Sequence, residues 1–183
     1  LLILNGEQLH KVSVLPRGTA ALGYTMQMHL KARYLISKKE LLDKLTVLLG
    51  GRVSEELMSK EITTGAQNDI ERATKLARAM VTSFGMSDKL GPRTFGHKEE
   101  LVFLGREISE QKDYSERFAL GIDKEVNKII QEAHETAKRI LTENKAKLIQ
   151  IAEKLVAQET LEGEELESLL NEPAPSAEAA ATS

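Results

Sequence analysis

From Ser37 onward, apolar residues recur at the spacing of a single helix face, and this pattern limits the possible folds more than any other feature. Leu41, Leu42, Leu45, Leu48 and Leu49 make a first stripe, and Ile70, Ala73, Ala77, Met80 and Val81 a second. Ile122, Val126, Ile129, Ala133, Ala137, Ile140 and Leu141 make a third, followed beyond Asn144 by Leu148, Ile151, Ala152, Leu155 and Val156. Residues three and four apart share a helix face, so each run predicts an amphipathic helix with one side to bury. Aromatic residues are only 4% of the chain and Trp is absent, so Leu, Ile, Val, Ala and Met must build the core. That suits helices packed on helices.

The boundaries of these helices carry their own signals. Ser37-Lys38-Lys39-Glu40 has capping-box spacing, a Ser to receive the first amides and a Glu three positions on. Gly50-Gly51 interrupts the first stripe before Val53, Leu57 and Met58 resume it. A glycine inside a helix costs about 1 kcal/mol relative to Ala, so close approach by another backbone or a ligand is the expected reason for the pair. The second helix is expected over 66–84, closed by Gly85. A long helical hairpin is expected from Tyr114, and a short last helix from after Leu161-Glu162-Gly163 to Leu170.

Before Ser37 the period changes. Alternation in Lys11-Val12-Ser13-Val14-Leu15 puts Val12 and Val14 on one face of a short strand, and Pro16-Arg17-Gly18 signals a turn. Leu22, Tyr24, Met26 and Met28 then alternate with Gly23, Thr25 and Gln27. Residues 11–28 are therefore expected to form a small antiparallel β unit with an irregular connection. The predicted fold is mainly α: a helical domain over 1–171 with this β unit near its N-terminus and the long C-terminal hairpin. Residues 172–183, rich in Ala and Pro, are expected to be a disordered tail.

Composition excludes some chemistries. The chain has 183 residues and a formal net charge of −3, which argues against a general nucleic-acid binder. The charge is uneven: residues 1–60 carry nine basic and five acidic side chains, residues 121–183 seven and thirteen. Cysteine is absent, which removes disulfides and thiolate metal sites. No apolar run approaches the roughly 18 residues that span a bilayer. Leu1-Leu2-Ile3-Leu4 is too short for a signal peptide and lacks a basic region before it. It reads as the interior of a helix, and so as the start of a piece of something longer.

Residues 63–74, Thr-Thr-Gly-Ala-Gln-Asn-Asp-Ile-Glu-Arg-Ala-Thr, hold the most suggestive chemistry. They place Asp69 in the opening turn of the second helix, where unpaired amides favour a carboxylate even without a function. Among the four histidines, His10, His29, His97 and His134, no two are four residues apart, so no helix offers a pair of imidazoles to a metal. His134-Glu135-Thr136-Ala137-Lys138 echoes H-E-x-x-H but puts Lys138 where the second imidazole belongs. His134 is expected at a helix surface, and His10 and His97 at loop edges. Glu55 and Glu56 read as a solvated charged face, with Glu56 also a candidate to orient a metal ligand or metal-bound water. No G-x-x-x-x-G-K-[ST] loop is present to hold ATP. The segment Gly23-Tyr24-Thr25-Met26-Gln27 could accept an extended peptide as an added strand, or could be an ordinary edge strand packed on the core.

Ordered blocks carry a resemblance that runs from about His10 to Leu170. They are His10 to Gly18, Leu22-Gly23-Tyr24-Thr25-Met26-Gln27, Leu48-Leu49-Gly50-Gly51-Arg52 with Glu55-Glu56-Leu57, and Thr64-Gly65-Ala66-Gln67-Asn68-Asp69. Phe84-Gly85-Met86-Ser87, Leu90-Gly91-Pro92, Phe103-Leu104-Gly105, Tyr114-Ser115 and Glu159 to Leu166 follow in order. Together they resemble the peptidase domain of the FtsH family, the membrane-bound ATP-dependent zinc proteases. The resemblance implies a mainly helical domain in a homo-hexameric ring beneath AAA ATPase modules, which bind ATP in a separate domain and deliver unfolded or membrane proteins as substrates. It implies a membrane-anchored parent with its peptidase domain on the cytoplasmic face or an organellar equivalent. It also implies zinc held by two His of an H-E-x-x-H helix and by the Asp at the position of Asp69, with the motif Glu as general base.

That motif is missing from this sequence. Asp69 is the only one of these ligands that maps here, and the general-base Glu is expected upstream of Leu1, with Leu1 to Leu4 continuing its helix. Two readings follow. In one, the residues are most of the proteolytic domain of a zinc metalloendopeptidase, inactive and holding little or no zinc by themselves. In the other, they are a noncatalytic pseudoprotease or helical oligomerisation module of an AAA ring.

Overall fold

The computed structural model describes residues 8–14, 24–28, 35–59, 61–96 and 114–171. The chain divides into two compact units, one of residues 36–138 and one that joins residues 1–35 to 139–183. The described elements, in order, are β1 (Gln8–Ser13), β2 (Tyr24–Met28), α1 (Lys38–Met58), α2 (Gln67–Thr82), α3 (Glu116–Glu143), α4 (Lys145–Gln158), β3 (Thr160–Glu162) and α5 (Gly163–Asn171). The mainly helical expectation holds. Residues 172–183 of the expected tail, and His29 and His97, lie outside the described residues.

In the 36–138 unit, α1 begins as the sequence predicts. The Ser37 hydroxyl accepts from the Glu40 amide at 3.2 Å, and the Glu40 carboxylate accepts from the Ser37 amide at 2.8 Å. The helix then runs unbroken through Gly50 and Gly51 to Met58. A Cβ placed on either glycine would meet nothing within 4 Å, so among the described residues no close approach accounts for them. Leu41, Leu45 and Leu49 of α1 pack with Ala73, Ala77, Met80 and Val81 of α2 and with Ile122, Val126, Ile129 and Ala133 of α3, and Phe95 completes this core. Ile70, expected in the buried stripe of α2, is instead 39% exposed, although Ala66 and Ala73 on either side of it are buried.

The far end of α2 is shaped by Gly85, as the sequence predicts. Its φ of +60° is a backbone region that side chains resist, and a Cβ there would stand 3.1 Å from the Arg93 amide nitrogen. The chain beyond is pinned by a buried polar pair. The Ser87 hydroxyl donates to Glu125 of α3 at 2.6 Å and accepts from the Leu90 amide at 3.1 Å. The Arg93 guanidinium lies against the rings of Phe95 and Phe118, 4.6 and 4.9 Å from their centroids.

The other unit holds a three-stranded sheet of order β2-β1-β3, antiparallel at both joints. β1 and β2 are the β unit expected over 11–28. β3 was not expected: Lys11, Val12 and Ser13 pair with Glu162, Leu161 and Thr160. The left-handed backbone of Glu159, φ 61°, turns the chain out of α4 into this strand. Val12 of the expected β1 face packs on a small core, but the strand ends before Val14. Ser13 is the buried residue, its hydroxyl donating to the Glu159 carbonyl and accepting from Thr160, whereas Val14 lies past the strand and is 40% exposed. His10, expected at a loop edge, falls within β1, where the register with β2 shifts between Leu9 and Lys11.

α3 and α4 are the two helices expected from Tyr114 onward, and they meet at Asn144, whose amide side chain donates to the Ile140 carbonyl at 2.8 Å. Ile151 and Leu155 of α4 pack with Val12 of β1 on a small core of Leu161, Leu166 and Leu169. Val156, expected on the buried stripe, is 76% exposed, because the helix covers this core with a narrow face. The Lys147 ammonium donates to the Leu170 carbonyl near the end of α5.

Candidate functional site

The residues around Asp69 are arranged from both sides by short-range bonds. α2 starts after Ala66, which makes no side-chain cap. The turn before it is closed instead by the backbone, with the Gln67 amide donating to the Thr64 carbonyl at 3.0 Å. Asp69 stands in the first turn, where the helix N-terminus favours its charge. Its carboxylate is 45% exposed, and Arg72, one turn on, approaches it to 3.7 Å. The group is therefore negatively placed, accessible and not consumed by capping.

The turn is tied to the end of α1 by Glu55. One carboxylate oxygen accepts from the Thr63 hydroxyl at 2.5 Å, the other from the Thr63 amide at 3.3 Å. The same hydroxyl oxygen accepts from the Gly65 amide at 3.1 Å. Gly65 fits here because it lacks a side chain: a Cβ would lie 3.2 Å from both Glu55 Oε1 and Thr63 Oγ1. The Thr63 hydroxyl holds the Glu55 carboxyl below the usual carboxylate range; the Thr63 amide and Arg52 act in the same direction, and partial desolvation opposes them.

Glu56 takes a different direction. Arg52 Nε lies 3.2 Å from its Oε1, and His134 Nε2 of α3 lies 3.3 Å from its Oε2. Sequence reasoning places His134 at an open helix surface. Its side chain is instead mostly covered, and its buried Nδ1 has no hydrogen-bond partner among the described residues. The contact joins residues 78 apart in sequence, which no local spacing signals. Glu55, rather than the candidate Glu56, is the acid that bonds the turn before Asp69. A capping-type Thr-x-Gly turn eight residues beyond a helical Glu is the signal that could have found it.

A zinc ion takes four ligands in tetrahedral array, drawn from nitrogen, oxygen or sulfur donors. Asp69 fits as one such donor. Among the described residues, however, no three His, Cys, Asp or Glu side chains gather into a metal-holding group. The further ligands of any such site must come from elsewhere. Tyr24 to Gln27 lie in β2, an outer strand in the β2-β1-β3 order, whereas Gly23 is outside the described residues. No described helix is long and apolar enough to cross a membrane.

Comparison with known proteins adds the family. The sequence pattern of Peptidase family M41 matches residues 1–169. The chain is 52% identical over 169 residues to the ATP-dependent zinc metalloprotease FtsH of Pseudothermotoga lettingae, a match covering 92% of this chain and 27% of that protein. It is 50% identical over 168 residues to the protein of the same description from Thermotoga maritima, covering 92% of this chain and 28% of the relative. A third, ATP-dependent zinc metalloprotease FtsH 1 of Thermomicrobium roseum, is 52% identical over 171 residues, covering 93% and 26%. The chain thus spans about a quarter of the length of the curated relatives it matches.

Proposed function

We propose that this chain, which belongs to peptidase family M41, forms most of the proteolytic domain of an ATP-dependent zinc metalloendopeptidase. The observation that carries the reading is the Asp69 carboxylate, fixed in the first turn of α2, half exposed and not spent on capping the helix. In this reading Asp69 is one protein ligand of the zinc, and the remaining ligands and the general-base Glu come from residues outside this chain. When bound, zinc lowers the pKa of a coordinated water to about 7 and polarises the scissile carbonyl. The contribution of these residues is to hold one anionic ligand in place, with Glu56, which contacts Arg52 and His134, as a candidate to orient a metal ligand or metal-bound water.

Substrates are protein chains, unfolded and delivered by an AAA ATPase ring whose ATP site lies in another domain. An extended peptide would add as a strand at residues 23–27, of which Tyr24 to Gln27 lie in the outer strand β2, and main-chain bonds would give affinity with little sequence preference. The parent assembles as a homo-hexamer and is anchored in a membrane by other segments, with this domain on the cytoplasmic face or its organellar equivalent.

Asp69→Asn in the intact protein tests the reading. Asparagine keeps size and helix compatibility but removes the charge that helps hold a dication. Zinc affinity and protein degradation should fall together, while ATP hydrolysis persists. Stability should change by no more than about 1 kcal/mol, the usual worth of a half-exposed acid at a helix N-terminus. Zinc content and degradation at the unmutated level would show that Asp69 merely favours the helix. A parent with no measurable peptide hydrolysis before mutation would make the chain a noncatalytic ring module.

A further inference from the structure

We infer that Glu55 is a positioning residue for the metal site: it acts through Thr63, locking the turn that sets where α2 begins and hence where Asp69 stands. The inference rests on the reading of Asp69 as a zinc ligand. Its physical basis is independent of that reading, because the bonds form a closed chain. Glu55 accepts from Thr63 at both the hydroxyl and the amide, and the hydroxyl oxygen accepts in turn from Gly65. A single carboxylate on α1 thereby fixes two successive points of the backbone before Gln67, the first residue of α2.

A backbone bond from the Gln67 amide to the Thr64 carbonyl closes the turn itself, and the Glu55 carboxylate ties that turn to α1. Ala66 has no side chain able to cap the helix, so the usual device for fixing a helix start is absent at α2. In α1, by contrast, Ser37 and Glu40 cap each other within one turn. Helix α2 instead takes its starting point from a neighbouring helix. Such an arrangement trades local stability for a defined distance between two elements. Gly65 reinforces it, since any side chain there would press on the very oxygens that make the bonds. Asp69 follows Gly65 by four residues, about one helical turn, so a shift in the turn is transmitted to its carboxylate.

The charge of Glu55 matters for this role rather than for metal binding. Bonds to an ionised acceptor are roughly twice as strong as neutral ones, and the hydroxyl contact is short as expected for that case. Groups that support a metal ligand from behind typically change metal affinity by 10- to 100-fold when altered. Glu55 and Thr63 should both fall in this range.

The test uses the intact protein with four substitutions, Glu55→Gln, Thr63→Val, Thr63→Ser and Asp69→Asn. Affinity for Co2+, a spectroscopic stand-in for zinc, is titrated for each, and thermal melts are recorded alongside. Glu55→Gln and Thr63→Val should each weaken Co2+ binding about 10- to 100-fold, and the double variant should be no worse than the weaker single. Thr63→Ser, which restores the hydroxyl, should bind within about threefold of the unmutated protein. Should Glu55→Gln alone fail to fold, the comparison of Thr63→Val with Thr63→Ser carries the decision. Unchanged affinity in Thr63→Val, or losses that simply add in the double variant, would overturn the inference, because Glu55 would then act by another route. Loss of Co2+ in Asp69→Asn with none in the Glu55 and Thr63 variants would overturn it while leaving Asp69 as a ligand. Unchanged affinity in Asp69→Asn would remove the underlying reading and the inference with it.

Discussion

Removing the Ser87 hydroxyl should be among the most damaging single-atom changes in the 36–138 unit. Ser87 and Glu125 are 4% and 8% exposed, so water cannot replace what the mutation deletes. Ser87→Ala loses a hydrogen bond to a carboxylate, worth about 1.5–3 kcal/mol, and a bond from the Leu90 amide, worth about 0.5–1.5 kcal/mol. The expected cost is therefore about 2–4 kcal/mol, large against the 5–15 kcal/mol of total stability usual for a domain. The mechanism makes a sharper forecast than the size. Most of the loss comes from stranding the Glu125 carboxylate, so Glu125→Leu introduced into Ser87→Ala should recover at least half of it, a smaller apolar partner being better than an orphaned charge. Urea denaturation of the two singles and the double, with circular dichroism at 222 nm, measures this directly; m should stay constant. A cost below about 0.5 kcal/mol for Ser87→Ala would refute the reasoning. So would a double variant in which the two losses add, since the pair would then not be coupled.

Two further outcomes are expected. Gly50→Ala and Gly51→Ala should each stabilise the chain by up to about 1 kcal/mol in the same assay, because both sit inside α1 with open space at Cβ; a loss of more than that would show another group closing over them. The stability difference between the unmutated chain and Glu55→Gln should depend on pH. The Glu55 carboxyl titrates lower in the folded state than its ordinary value of 4.5, so its contribution is present above that pH and disappears as the pH falls through the lower folded value. Melts between neutral pH and about 3 should show the two proteins converging only at the acid end, and convergence near pH 6 would contradict the assignment.

How much of this was legible in the sequence depended on the range of the interactions. The box Ser37-Lys38-Lys39-Glu40 is closed within one turn, and it appears in the structure as the spacing predicts. Gly85 was readable for the same reason: a helix end that needs left-handed backbone selects glycine. The stripes of α1, α2, α3 and α4 were readable at their centres, but Ile70 of α2 and Val156 of α4 keep the period and are exposed. β3 was invisible, since three residues carry too little pattern and their partner lies about 150 positions away. At the candidate site, Asp69 and the acids of α1 could be picked out, but their division of labour could not. Glu55 and Glu56 are adjacent and chemically alike. Only the fold turns one toward Thr63 and the other toward Arg52 and His134.

The pairing of β1 with β3 has a consequence for how the protein is made. Ser13 and Thr160, hydrogen-bonded in the finished sheet, are 147 residues apart, so at a ribosomal rate of about 5–20 residues per second the second follows the first by roughly 7–30 s. Residues 36–138 form one uninterrupted stretch and can close their own core during that interval. β1 cannot finish its ladder, and one edge of it stays open to whatever strand is near. On polysomes, where nascent copies of this chain lie side by side, the nearest strand is that of a neighbour. Slowing elongation between α2 and α4, by rare codons placed there, should lengthen this exposed period and raise the yield of intermolecularly paired, aggregated product, whereas the same delay placed after Asn171 should not.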